Sequence, residues 1–181
     1  MKVALREIQG PWDRGWVLDK HTLKSTYLGT NESGRAQFEN IRSEVGEATF
    51  LLKYRQQWDK AQILAEALAE HICPRFDQIG FIVPMPASTQ RGRQPVNEVA
   101  CALSSILKIP AFDHILVKAA NGQSLKDLTT KDEKLAAIAG TLSIKDRITN
   151  SGRWNVLLLD DLYDSGASMR SVSMTLRHIC L

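Results

Sequence analysis

Long hydrophobic runs are missing from this sequence. Its 181 residues are 44% hydrophobic, yet no apolar run after Met1 is long enough for a signal peptide or a membrane-spanning helix. We therefore expect a cytoplasmic protein without a membrane partner. The hydrophobic share is that of an ordinary folded domain, and the charged share is 24%, which together exclude a disordered or collagen-like chain.

Cysteine is also scarce, and no CxxC motif occurs. Cys73, Cys101 and Cys180 are odd in number and widely spaced, so neither a disulfide framework nor a zinc ribbon is indicated. We interpret them as buried thiols in a reducing compartment. The four histidines lack the spacing of metal ligands, and the GxxxxGK[ST] motif is absent, so an ATPase of the P-loop class is not expected.

The chain has little excess charge of either sign. Its 23 basic and 20 acidic residues leave a net charge of +3, which does not require nucleic acid or an anionic membrane as the partner. A single domain of this length buries roughly 70% of the surface that its unfolded chain exposes, enough for a core without disulfides.

The hydrophobic pattern divides the chain near residue 50. Residues 1–50 are predicted to form a small N-terminal appendage, with a β hairpin up to about residue 30 and a helix over residues 34–45. Residues 51–181 alternate compact apolar runs with helical stretches, which predicts an α/β core with a Rossmann-like parallel sheet flanked by helices. The predicted strands are 79–83, 115–117 and 154–159. One helix is predicted to start at Asp59, and three more are predicted over residues 96–107, 132–139 and 166–179. Residues 121–130 are predicted as a loop.

One segment of the core carries chemistry. Residues 156–159 are a buried apolar run, followed by the carboxylates Asp160 and Asp161 and by a turn with Gly166 that leads into a helix. Ligands of open α/β sheets bind at this edge, and a helix N-terminus with its preceding turn suits a phosphate group. The two carboxylates can accept hydrogen bonds from a vicinal diol or hold hydrated Mg²⁺. A ribose 5-phosphate satisfies both demands.

This segment resembles the phosphoribosyl pyrophosphate (PRPP) motif of type I phosphoribosyltransferases, in which four apolar residues precede two acidic ones and a Thr/Ser-Gly loop. The resemblance implies the type I phosphoribosyltransferase fold, with Asp160 and Asp161 on the ribose hydroxyls and near Mg²⁺. Many relatives have Thr at the position of Asp164, whereas the hypoxanthine-guanine enzymes have Asp there as a base toward the purine; a helix cap is an equal alternative. The implied 5-phosphate cradle is formed by Asp164, Ser165, Gly166, Ala167 and Ser168.

A second resemblance is to the competence-protein-F (ComF) subfamily. Residues 81–86 followed by Arg91 and Arg93 are similar to its proline-flanked strand and basic loop, and residues 53–55 also follow its pattern. The resemblance implies that Arg91 and Arg93 clamp the pyrophosphate; a solvated basic loop is the alternative. The Arg-Gly-Phe-Asn-Gln string of the subfamily is present only in part, and its cysteine-rich zinc module has no counterpart. The subfamily's sheet continues with a strand after the motif helix, whereas this sequence stops at Leu181, so either the sequence is truncated or the sheet is smaller.

These resemblances lead to two functional expectations. The first is a glycosyltransferase of nucleotide metabolism, a homodimer that binds PRPP and Mg²⁺ and transfers 5-phosphoribosyl to an unidentified nitrogen acceptor with release of pyrophosphate. In it, Asp164 takes the acceptor's proton as the catalytic base. The second is a non-catalytic accessory protein of DNA uptake or repair that binds single-stranded DNA or competence proteins.

Overall fold

The computed structural model of the protein describes residues 1–87, 92–118, 142–144 and 154–177. Within these ranges the protein is mixed α/β, with short two-stranded sheets that are partly parallel. The predicted loop at 121–130 and helix at 132–139 lie outside the described residues, as do Arg91 and Cys180. The strands are β1 (Arg6–Glu7), β2 (Trp16–Val17), β3 (Thr22–Thr30), β4 (Ala36–Arg42), β5 (Phe81–Pro84), β6 (Leu116–Lys118), β7 (Leu142–Ile144) and β8 (Val156–Leu159); the helices are α1 (Glu44–Arg55), α2 (Asp59–His71), α3 (Pro95–Leu107) and α4 (Ala167–Arg177).

The N-terminal part contains two antiparallel strand pairs. Strands β1 and β2 form a short pair, and β3 and β4 form a longer hairpin in which Tyr27 is opposite Phe38. The helix predicted over residues 34–45 is wrong for most of its length, because β4 occupies residues 36–42. The spacing of Phe38 and Ile41 predicted a helix with one buried face. Both side chains are instead 54% exposed, and neither belongs to a hydrophobic core cluster.

Helix α1 connects this hairpin to the core. Ser43 caps its N-terminus by accepting a hydrogen bond from the Gly46 N–H at 2.9 Å, and donates from its hydroxyl to the Lys20 carbonyl at 2.6 Å. Val45 and Leu52 are buried on the inner side of the helix. These contacts fix α1 against the N-terminal segment.

The parallel part of the sheet is formed by β5 and β8, in register from Phe81 opposite Val156 to Pro84 opposite Leu159. An isolated parallel bridge between Ile82 and Ala111 adds a third extended segment. Successive side chains of β5 alternate between the two faces. Ile82 packs in the cluster with α1, α2 and α3, and Val83 packs in the cluster with α4.

The sequence predicted most of the core elements but not every pairing. Strands β5, β6 and β8 and helices α2, α3 and α4 occur where residue patterns predicted them, within a few residues. Strand β6, however, was expected in the parallel sheet and instead pairs antiparallel with β7. The expectation of buried cysteines is confirmed for Cys73 and wrong for Cys101, which is exposed. In the described part of the chain, no helix combines the length and the apolarity needed to span a membrane.

Candidate functional site

Two adjacent carboxylates lie where β8 leaves the sheet. The Met85 N–H donates to the Leu159 carbonyl at 2.7 Å, which keeps β8 paired with the chain after β5 up to its last residue. Asp160 and Asp161 follow directly, and the Asp161 N–H donates to Asp160 Oδ1 at 2.8 Å. The carboxylates therefore occupy the carboxyl end of a parallel strand, the edge at which α/β proteins bind ligands.

The environment of Asp160 favours its neutral form. Burial and, after it, the neighbouring Asp161 carboxylate raise the pKa of Asp160 to about 7, against smaller opposing effects that include the positive charge of Lys53. A carboxyl group that is only partly ionised near neutral pH is typical of ligand sites. The end of β8 thus holds two acidic groups in an environment that disfavours the ionisation of both at once.

Lys53, in the last turn of α1, partly compensates this charge. Its Nζ lies 2.7 Å from Asp161 Oδ2, and the two side chains are only 29% and 19% exposed, so the ion pair is partly withdrawn from solvent. His21 lies near the same charges. Burial, Arg42 and Lys53 lower the pKa of His21, while Asp161 acts in the opposite direction.

The turn after the carboxylates leads directly into α4. Gly166 has φ +74°, a conformation that glycine adopts without strain. The Ala167 N–H points to Ser165 Oγ at 3.4 Å, and the Arg170 N–H donates to the Gly166 carbonyl at 2.9 Å, which begins the helix. Asp164 is exposed on this turn. The residues predicted to cradle a phosphate therefore form one continuous turn at a helix N-terminus.

The N-terminal segment packs against this turn. The Tyr163 ring meets the Trp12 ring edge-on, with centroids 6.5 Å apart, and the Arg6 guanidinium lies 5.9 Å from the centroid of Tyr163. The segment predicted as an appendage is therefore part of the site's surroundings.

A cavity of about 1080 Å³ opens beside the carboxylates. Its walls come from the N-terminal segment, helices α1, α2 and α3, the whole of β8, and α4. Apolar side chains such as Trp16, Leu52 and Leu159 line much of it, and the acidic group Asp160, Asp161 and Asp164 lines it together with His21. An apolar cavity with a few convergent polar groups is the usual form of a small-molecule site.

Arg93, the described member of the predicted pyrophosphate clamp, is engaged elsewhere. Its Nε donates to Glu98 Oε1 at 3.1 Å, its NH2 group contacts Glu98 Oε2, and its guanidinium lies 4.3 Å from the Trp58 ring centroid. The described residues that line the cavity do not include Arg93. Its partner in the prediction, Arg91, lies outside the described residues.

The carboxylates Asp160 and Asp161 suit a magnesium ion only if a bound substrate supplies further oxygen ligands. Among the residues that the structure describes, no three His, Cys, Asp or Glu side chains converge as a metal cage. Asp160 and Asp161 supply hard carboxylate oxygens, and Mg²⁺ is commonly held by one or two carboxylates that share it with substrate phosphates and water. The two residues therefore fit a magnesium ion that arrives with a phosphorylated substrate.

Comparison with known proteins identified no related protein. No protein-family model matches the chain, and neither a curated protein nor a solved structure matches it. The site therefore has to be judged on its own geometry. Sequence reasoning located the carboxylates and the turn but did not place Lys53 or His21 at the site, although the basic string at residues 53–55 was a usable signal for Lys53.

Proposed function

We propose that the protein binds PRPP together with Mg²⁺ at the carboxyl end of β8 and transfers the 5-phosphoribosyl group to a nitrogen nucleophile. One observation carries this proposal. Asp160 and Asp161 follow a parallel strand and stand immediately before a glycine turn and a helix N-terminus, and Asp160, Asp161 and Asp164 line one cavity. That arrangement offers acceptors for a diol and donors for a phosphate within one site.

The Rossmann-like, type I phosphoribosyltransferase fold belongs to the same proposal. The parallel pairing of β5 with β8, the bridge from Ile82 to Ala111, and helices on both faces of these strands support it. Ligands of such folds bind where the carboxyl ends of neighbouring strands meet, and the chain after β5 reaches that edge beside the carboxylates.

The reaction divides between positioning and charge stabilisation. The bond between C1 of ribose and the pyrophosphate oxygen breaks with both electrons leaving on pyrophosphate, and a bond from the acceptor nitrogen to C1 replaces it. Asp160 and Asp161 hold the ribose hydroxyls and their negative charge stabilises the cationic character at C1. Bound magnesium would offset the charge of the departing pyrophosphate. Asp164, an exposed residue that lines the cavity, takes the proton of the acceptor nitrogen.

A calorimetric titration with PRPP, with and without Mg²⁺, tests the proposal. We expect binding that needs Mg²⁺ and is lost in the Asp160→Asn/Asp161→Asn variant. An uncharged amide binds both the cation and the ribose hydroxyls more weakly than a carboxylate does. The matched control is Glu70→Gln, which neutralises an exposed carboxylate in the last turn of α2 that is not among the described residues lining the cavity. Failure of the wild-type protein to bind PRPP would refute the assignment, as would equal binding by the double variant.

A second candidate function is that of a non-catalytic accessory protein of DNA uptake or repair. The engagement of Arg93 by Glu98 and Trp58 favours it, because a pyrophosphate clamp requires an arginine that faces the ligand. Affinity for single-stranded DNA that decreases with added salt, without release of pyrophosphate from PRPP in the presence of any tested amine, would support this candidate. Absence of DNA binding at low salt would count against it.

A further inference from the structure

The ion pair between Lys53 and Asp161 joins the N-terminal half of the chain to the candidate site. It is short, at 2.7 Å between Nζ and Oδ2, and both side chains are mostly withdrawn from solvent. The Nζ also lies 6.0 Å from the centroid of the neighbouring Tyr54 ring. A cation is therefore fixed on the very carboxylate that the proposed function assigns to ribose and magnesium.

The attachment of α1 to the core does not depend on this pair. The helix is capped by Ser43, its inner side is buried through Val45, Ala48 and Leu52, and Gly46 approaches the His21 backbone closely. A lysine that served only to hold the helix would add little to these contacts. The pair has its main effect on the charge of the site.

That charge matters because the proposed ligand is itself an anion. Two ionised carboxylates side by side repel each other and repel a sugar that carries phosphate and pyrophosphate, whereas they attract a free divalent cation. One fixed ammonium group shifts this balance: it reduces the attraction for a free cation and reduces the repulsion of the phosphorylated sugar. It also restrains the Asp161 side chain, so that the carboxylate is oriented before the ligand arrives.

We infer that Lys53 is a positioning residue that orients Asp161 and sets the charge of the site in favour of a phosphorylated sugar over a bare divalent cation. The inference rests on the proposed function. It assigns a role to a residue of α1, outside the segment from β8 to α4 that carries the candidate motif. Lys53 acts through Asp161.

The test compares Lys53→Met with Lys60→Met. Lys60 is a good control because it is similarly buried and also forms a 2.8 Å ion pair, with Asp59 at the start of α2. Mg²⁺ alone, and PRPP at a fixed Mg²⁺ concentration, are titrated by calorimetry. We expect Lys53→Met to bind Mg²⁺ about fivefold more tightly and PRPP about tenfold more weakly than wild type. Lys60→Met is expected to change neither affinity.

Opposite changes in the two affinities separate a charge effect from structural damage, which would weaken both. Lys53→Arg provides a second check, since it keeps the charge and is expected to retain PRPP binding within about threefold of wild type. Unchanged affinities in Lys53→Met, equal losses of both, or a melting temperature lowered by more than about 10 °C would overturn the inference. If the wild-type protein does not bind PRPP, the proposed function fails first, and the role of Lys53 fails with it.

Discussion

The hydroxyl oxygen of Tyr163 lies 2.6 Å from the point that a β-carbon on Gly166 would occupy. Gly166 also has φ +74°, so two separate constraints exclude a larger residue from the centre of the turn. The tyrosine ring cannot simply retreat, because Trp12 packs against it edge-on. The backbone of the turn is therefore matched to the N-terminal segment that covers it.

The first prediction follows from this relationship. Gly166→Ala should destabilise the protein by roughly 2 kcal/mol, because the alanine is strained at positive φ and displaces Tyr163. Urea unfolding measures the change. Gly34→Ala is the matched control: Gly34 has the same φ of +74° but nothing within 4 Å of the added carbon, so its cost is that of conformation alone. Equal destabilisation by the two substitutions would contradict a role for Tyr163.

The second prediction concerns pH and Asp160. The pKa of this carboxyl is raised to about 7 in the native protein, whereas it is about 3.9 in an unfolded chain. Between these values the native state keeps a proton that the unfolded state releases, so stability decreases as the pH rises from about 4 to about 7. Asp160→Asn removes this penalty and can still accept the hydrogen bond from the Asp161 N–H.

We therefore expect Asp160→Asn to be more stable than wild type at pH 8, by up to roughly 4 kcal/mol, and nearly equal to it at pH 4. Urea denaturation at a series of pH values gives the comparison. A wild-type protein whose stability rises between pH 4 and pH 7 more steeply than that of Asp160→Asn would disprove the burial argument.

The third prediction tests how α1 is seated. A β-carbon on Gly46 would overlap the backbone carbonyl of His21, which no side-chain movement can relieve. Alanine normally stabilises a helix interior by about 1 kcal/mol relative to glycine, but here the backbone overlap should outweigh that gain. We expect Gly46→Ala to lower stability by roughly 2 kcal/mol in urea unfolding. Gly92→Ala, with open space around the added carbon, should be near neutral.

The sequence identified the parts of this protein that local patterns specify. The apolar run ending in Asp160 and Asp161 predicted both a strand and the position of its carboxylates, and Gly166 predicted the turn into α4. The hairpin strand β4 was missed because its apolar residues are exposed. Their spacing therefore does not reflect packing against a core, and it suggested a helix. The contact between Lys53 and Asp161 was missed for a different reason: the basic string at residues 53–55 singles out Lys53, but local sequence does not show which distant residue it meets.

The fourth prediction addresses the clamp that the sequence placed at Arg91 and Arg93. In the structure Arg93 forms a forked ion pair with Glu98 and lies over Trp58, so pyrophosphate would have to compete with the glutamate for this guanidinium. Glu98→Gln removes the competing charge. If Arg93 contacts the ligand, this variant should bind inorganic pyrophosphate severalfold more tightly than wild type, and Arg93→Ala should bind it more weakly.

Calorimetry with pyrophosphate in the presence of Mg²⁺ distinguishes the two roles of Arg93. Glu66→Gln is the control, because Glu66 lies on the exposed side of α2, where it accepts a hydrogen bond from Gln62 at 2.9 Å. Its affinity should match that of wild type. Unchanged affinity in both Glu98→Gln and Arg93→Ala would mean that Arg93 serves only to join α3 to the start of α2. The cation for a pyrophosphate group would then have to come from another part of the site, and Lys53 is the described lysine already fixed there by its contact with Asp161.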